Sequence, residues 1–292
     1  MRKGKQSSHA AASNKMPSKN IILESLKSSF ASIWKNKSLF VSLFTLQIIF
    51  FAIFSFINYH YQTKIIESSN AIFEYLGKQQ LDEASISENL LQQRGIFGDD
   101  PLMISRNFND IIRNFRIYMA YVFALLILFS SVFWTLTNKF FDKINIRQLK
   151  DIFIRNLAVL LFYLGLIFLF FFSLLNISIT QLTAEASELF PKLIAFFAVS
   201  IVLLYFMFIS LSLANRTELR SIVQKTLIVG IKKAHYILAA YLVNIILFGI
   251  SAFLLFYFIE KNPFILFASV ILMIFSFVFG RIFIVNVVGK LD

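Results

Sequence analysis

The chain has no cysteine, which excludes disulfides, thiolate catalysis and cysteine-ligated zinc or iron–sulfur centres. Charge is scarce as well. Asp, Glu, Lys and Arg make up 15% of 292 residues, against roughly 25% in a soluble domain. The three histidines, His9, His60 and His235, are scattered. None has the histidine or carboxylate four residues away that a zinc or di-iron site on a helix requires. No GxxxxGK[ST], GxGxxG or GxSxG stretch occurs, so nucleotide binding and a hydrolase elbow lack support. The adjacent acids Asp82-Glu83 and Asp99-Asp100 suit loop solvation and helix capping better than a catalytic dyad. The length leaves no room for a sizeable soluble catalytic domain, so the chain reads as a non-enzyme without cofactor or metal.

What is abundant is apolar. Hydrophobic residues reach 58% and phenylalanine alone 37 positions, with a mean hydropathy of +0.73. This is the composition of an integral membrane protein. Crossing a bilayer takes about 20 predominantly apolar residues. Six stretches qualify, roughly 39–58, 117–136, 157–177, 192–213, 236–258 and 264–286. The fold class expected is an all-α membrane domain over 21–292, preceded by a polar, basic, disordered tail over 1–20. That tail has no apolar run of the kind a secretory signal carries.

An even number of spans puts both termini on one side, and the basic residues decide which. The face holding the N-terminal tail, loops 137–156 and 214–235 and the C-terminal end carries 20 Lys and Arg, Arg281 included, against five acids. The opposite face carries eight against eleven. Both termini are therefore expected in the cytoplasm. The net charge of +12 then reads as a topogenic signal and an attraction to anionic lipid headgroups at the cytoplasmic face, with no role in binding nucleic acid.

Helix ends are partly legible. Asn262-Pro263 supplies an N-cap and an N1 proline for the last span, and Pro191 is read the same way for the fourth. Residues 59–116 form the external segment. Within it, Ser85 and Glu88 have the spacing of a capping box, Gly95 and Gly98 break the helix that follows, and Asp100-Pro101 opens a second helix leading into the second span. Two readings fit the segment, a helical hairpin lying against the membrane surface, which the composition favours, and a cap that binds a partner or ligand.

Residues 22–34 are amphipathic. Ile22, Leu23, Leu26, Phe30, Ile33 and Trp34 fall within about 120° on a helical wheel, with Glu24, Ser28, Ser32 and Lys35 outside that arc. The stretch predicts an interfacial helix, its apolar arc in the acyl boundary. Similar lead-ins precede the third span (146–156) and the fifth (218–236), aligning Lys35 with Arg155 and Lys232, Asn36 with Asn156, and Gln47 with Asn244. The repeating unit is a cytoplasmic amphipathic helix, an outward span and a returning span, so six spans form three pairs. This arrangement resembles the membrane domain attached to some glycerophosphodiester phosphodiesterases and related uncharacterised prokaryotic membrane families. The resemblance implies a prokaryotic cell membrane. It carries over no catalytic residue, because the soluble phosphodiesterase domain is absent.

The span interiors hold no Asp, Glu or Lys, which argues against a pump, a proton-coupled carrier or an intramembrane protease of the aspartyl or metal type. Arg281 is the exception, read as snorkelling to the interface. Trp34, Lys35, Lys37, Arg155, Lys232 and Lys233 are the other candidate interfacial anchors. Gln47 and Asn244, each about halfway along its span, are candidate interhelical polar contacts, because an unpaired buried amide is costly. Two functions fit. One is a non-enzymatic scaffold, accessory subunit or modulator of membrane lipid organisation, with membrane-protein partners or further copies of itself. The other is a permease subunit of a transporter such as an ATP-driven exporter with a separate ATPase.

The charge asymmetry yields the first prediction. Cysteines introduced at Ser7, Ser221 and Lys290 should be shielded from an impermeant thiol reagent in intact cells, and one at Ser87 should be labelled. Labelling at Ser221 but not at Ser87 would reverse the topology.

Overall fold

Residues 37–76 contain neither glycine nor proline, and the same is true of 102–138. Nothing in either stretch interrupts a helix. In the computed structural model, which describes residues 21–78, 102–141, 144–174 and 186–292, both are continuous helices. Among the described residues there are eight helices and no strand: α1 (Ile21–Lys35), α2 (Lys37–Lys78), α3 (Leu102–Asn138), α4 (Ile146–Leu174), α5 (Ala186–Leu213), α6 (Leu219–Lys232), α7 (Ala234–Phe258) and α8 (Pro263–Leu291). Six of them, all but α1 and α6, are long and apolar enough to cross a membrane.

The unbroken helices change the reading of the external segment. At 42 residues, α2 is about 63 Å long at 1.5 Å per residue, twice the hydrocarbon thickness of a bilayer. It continues past Asn58 without a bend residue and pairs antiparallel with α3. Tyr118 donates a hydrogen bond to Asn58 Oδ1 at 3.2 Å, and Tyr61 packs its ring against Tyr118 and Tyr121. The described parts of 59–116 are thus extensions of two spanning helices. The helix expected near 86–94, the glycine breaks and Asp100-Pro101 lie outside the described residues, as does the tail 1–20.

Asn262 caps α8 as expected, its Oδ1 accepting from the backbone N–H groups of Phe264 and Ile265 at 3.0 and 3.2 Å. Pro191 does not start its helix. It sits inside α5, five residues after Ala186, where its missing N–H deprives only a first-turn carbonyl of a partner.

The lead-in stretches also differ from one another. Asn36 and Lys233 each form a one-residue break, separating α1 from α2 and α6 from α7. Residues 146–156 instead run straight into their span as α4. Asn156 is fully buried there and donates to Thr135 Oγ1 of α3 at 3.0 Å, so the helix passes through this position without a turn.

At the centre stands α8. Its inner face is buried almost continuously from Val278 to Val288, and α1, α2, α3, α5 and α7 all pack on it. Phe279, Ile282 and Phe283 form one cluster with Leu43 of α2 and Phe133 of α3. Ile284, Val285 and Val288 join another with Trp134, Met207, Ile209 and Ile237. The end of the bundle holding Ile21 and Asp292 also gathers basic groups: Arg155 donates to Thr217 O at 3.0 Å, Arg216 to Gly289 O, and Lys225 pairs with Asp292 at 3.3 Å.

One face of α1 docks on the bundle. Ile21, Ser25, Ser29 and Ile33, spaced four apart, are buried, whereas Leu23, Phe30 and Trp34 are exposed. The cause is Asn286 of α8, whose Nδ2 donates to Ser25 O at 2.8 Å and Ser29 Oγ at 2.9 Å and also reaches Ser28 Oγ. Burying that amide requires acceptors, and serines both supply them and let two helix backbones approach closely. Ser28 therefore faces the bundle, contrary to its assignment to the water-facing side.

Ser29→Leu should overpack this contact, at a cost of about 1–3 kcal/mol, while Ala31→Leu on the exposed side should be neutral. Thermal unfolding in detergent micelles measures both, and equal melting temperatures for the two variants would show that α1 does not dock on α8.

Candidate functional site

Three polar side chains inside the bundle converge on one turn of α8. Gln47 of α2 is 3% exposed, and its Oε1 accepts from Arg281 Nη2 at 2.9 Å. Asn244 of α7 donates through Nδ2 to Gly280 O at 3.2 Å. The two amides, aligned by the repeat, thus do not meet each other: each bonds α8, at neighbouring residues 280 and 281. A carbonyl inside a helix already accepts one backbone bond, and its second lone pair is free for Asn244. Gly280 makes the approach possible, since a Cβ there would lie 3.2 Å from Asn244 Cγ and Oδ1.

Arg281 turns inward, not towards the interface. Its guanidinium carbon lies 4.4 Å from the Phe133 ring centroid, a cation–π geometry, and Gln47 is its hydrogen-bond acceptor. Val278, Phe279, Ile282 and Phe283 are buried on the neighbouring turns. The nearest polar end of α8, Leu291, is ten residues on, about 15 Å along the axis. Nε is buried without a hydrogen-bond partner, and so is Asn244 Oδ1. Among the described residues no carboxylate pairs with this cation.

Beside these groups lies a cavity of about 660 Å³, within the roughly 300–1,000 Å³ typical of small-molecule sites. One wall is α5 (Ile201, Leu204, Tyr205, Phe208), the other α7 (Leu238, Tyr241, Leu242, Ile245, Phe248), and the floor is α8 with Trp134 of α3. Ser276, Asn244 and Arg281 are its other polar lining residues. Ser276 Oγ is engaged with Ser251 Oγ at 2.9 Å. Ile201, Leu238, Leu242 and Ile245 are exposed on the outer, apolar surface of the bundle. The opening therefore faces sideways, between α5 and α7, into what would be lipid.

Two tyrosines hold the walls in register. Tyr241 donates to Tyr205 O at 3.0 Å, Tyr205 donates to Gly230 O of α6 at 2.7 Å, and the two rings meet edge to face at 5.6 Å. Gly230 is needed for this, because a Cβ would come within 2.9 Å of the Phe206 ring. Tyr205, Tyr241 and Gly280 are not among the residues expected from sequence. The available signal was the spacing of Tyr241 and Asn244, three apart and so on one face of α7, with a glycine beside the buried arginine.

The remaining candidate anchors lie elsewhere. Trp34 is 75% exposed with Lys37 Nζ 4.4 Å from its ring centroid. Lys35 and Lys232 are exposed, and Lys233 forms the break before α7. No family model, curated protein or solved structure matches this chain.

Gln47→Leu should destabilise the fold by about 1.5–3 kcal/mol, the usual worth of a hydrogen bond to a charged group. Adding Arg281→Met to that variant should recover part of the loss, because the uncompensated cation is removed with its partner. A double-mutant cycle on unfolding free energies reads the coupling; strict additivity would show that the pair does not interact.

Proposed function

We propose that this is a non-enzymatic polytopic protein of a prokaryotic cell membrane, with both termini in the cytoplasm, that takes single amphiphiles out of one leaflet and so modulates membrane lipid organisation. The observation that carries the reading is the sideways cavity. A pocket walled by spanning helices and opening through Ile201, Leu242 and Ile245 is supplied from the hydrocarbon layer, not from water. Its occupant is a molecule already dissolved in the bilayer.

The charge distribution supports the orientation. Arg155, Arg216 and Lys225 cluster at the end that holds Asp292, and basic residues favour the cytoplasmic side. The cavity residues of α7, Leu238 to Phe248, lie between its 5th and 15th residues of 25, so on this reading the cavity belongs to the half of the bundle near that end and to the cytoplasmic leaflet. The short lead-in helices α1 and α6 suit an interfacial role within a three-pair plan. Leu23, Phe30 and Trp34 on α1, and Leu219, Val223, Leu227 and Ile231 on α6, present apolar side chains outward while neighbouring turns grip the bundle. An anionic headgroup layer would be drawn to the same face.

Purification in mild detergent followed by native mass spectrometry tests the reading. The parent protein should retain about one lipid-sized amphiphile per chain, and Leu204→Trp, which fills the cavity from the α5 wall, should lose it. Indistinguishable bound lipid in the two proteins would overturn the proposal.

A further inference from the structure

The cavity lining carries a single charged group, Arg281, and among the described residues no carboxylate pairs with it. Gln47 is neutral, and the described span interiors contribute no Asp or Glu. The remaining polar inventory is small. The Tyr241 hydroxyl is spent on Tyr205 O and the Tyr205 hydroxyl on Gly230 O. Ser276 is spent on Ser251 and on Leu272 O. That leaves the guanidinium of Arg281, with one acceptor for its five donors, and the amide of Asn244. A charge in hydrocarbon is stabilised by an opposite charge or a dense set of acceptors, and the described residues supply neither in full.

From this we infer that the occupant is a single-chain amphiphile with a terminal carboxylate, of the fatty-acid class, its carboxylate against Arg281 and its chain leaving between α5 and α7. The inference rests on the reading of the cavity as a lipid-fed site and adds the chemistry that selects the ligand. One planar cation matches one compact planar anion through paired N–H···O bonds. A phospholipid fits less well. Its phosphodiester would have to descend about 15 Å along α8 from Leu291, bringing a glycerol backbone and further polar atoms to a cavity with one free amide to receive them. The apolar walls of α5 and α7 are continuous with the exposed outer surface at Ile201 and Ile245, which gives a chain a route outward with no polar barrier.

The test uses the full chain in phosphatidylcholine nanodiscs and a diazirine-bearing hexadecanoic acid, photo-crosslinked and mapped by peptide mass spectrometry. Crosslinks are expected on the lining segments of α5 and α7. Hexadecanoate should compete at least ten times better than hexadecanol, which has the same chain without the charge. Arg281→Gln should abolish that preference while leaving chain-dependent labelling in place. Because Arg281→Gln removes a buried contact and risks misfolding, Ile245→Trp at the exposed mouth is the second variant, and it should block hexadecanoate labelling in a protein of parental melting temperature. Equal competition by the acid and the alcohol, or stronger competition by phosphatidylglycerol than by hexadecanoate, would overturn the carboxylate assignment and leave the lipid-fed cavity standing. Absence of any labelling in the lining segments would overturn both.

Discussion

A partly buried arginine among the long apolar helices constrains everything around it. Arg281 is compensated by Gln47 on one side and the face of Phe133 on the other, which ties α2 and α3 to α8 at a single level. The same helix offers Gly280 O to Asn244 of α7 and uses Asn286 to hold α1 through its serines. In lipid there is little hydrophobic drive between helices, so association depends on close packing and on satisfying such groups. Each polar residue on α8 thereby selects one neighbour. The apolar residues between them fill the space those bonds define.

The cavity follows from that arrangement. Asn244 bonds Gly280 O, at a point where α7 and α8 pack closely. The tyrosine bridges, from α7 to α5 and from α5 to α6, then limit how far α5 and α7 part. Bulky apolar side chains of both helices, Leu204 and Phe208 on α5 and Leu242 and Ile245 on α7, line the gap. Elsewhere α5 is tied down by buried hydroxyls, Tyr163 to Ser210 at 3.2 Å and Ser210 to Thr226 at 3.0 Å, which link α4, α5 and α6 near the polar end. The wall is thus tied down by hydrogen bonds at one end and apolar and exposed along its side.

Composition marked a helix at α1 with Leu23, Phe30 and Trp34 directed to the acyl boundary, and these residues do face away from the bundle; what it did not show is that α1 docks through Ser25, Ser28 and Ser29. The hydrophobic wheel put Phe30 and Trp34 at the acyl boundary and Ser28 in water, and only the placement of Ser28 is overturned, because it meets Asn286 of α8. In an aqueous protein that ranking follows the transfer free energy of each side chain. Beside a membrane, Phe30 and Trp34 lose nothing by facing lipid, and serine gains by facing another helix. The same logic explains Arg281. Snorkelling is the rule for a lone cation near a helix end, and it gave way because Gln47 and Phe133, more than a hundred residues away in the chain, supply partners where the side chain lies.

The sequence by itself determined the class, the number of apolar helices, their order and the cap at Asn262, because each follows from local composition or from residues within one turn. It also determined that whatever this protein does must be done without thiols and almost without buried acids. Tertiary structure alone decided which helix is central, which amide meets which backbone, and that α5 and α7 stand apart over an arginine. Those outcomes depend on pairings between residues such as Gln47 and Arg281. No local pattern encodes them, since many apolar arrangements are nearly equal in hydrocarbon and only the few polar contacts distinguish one from another.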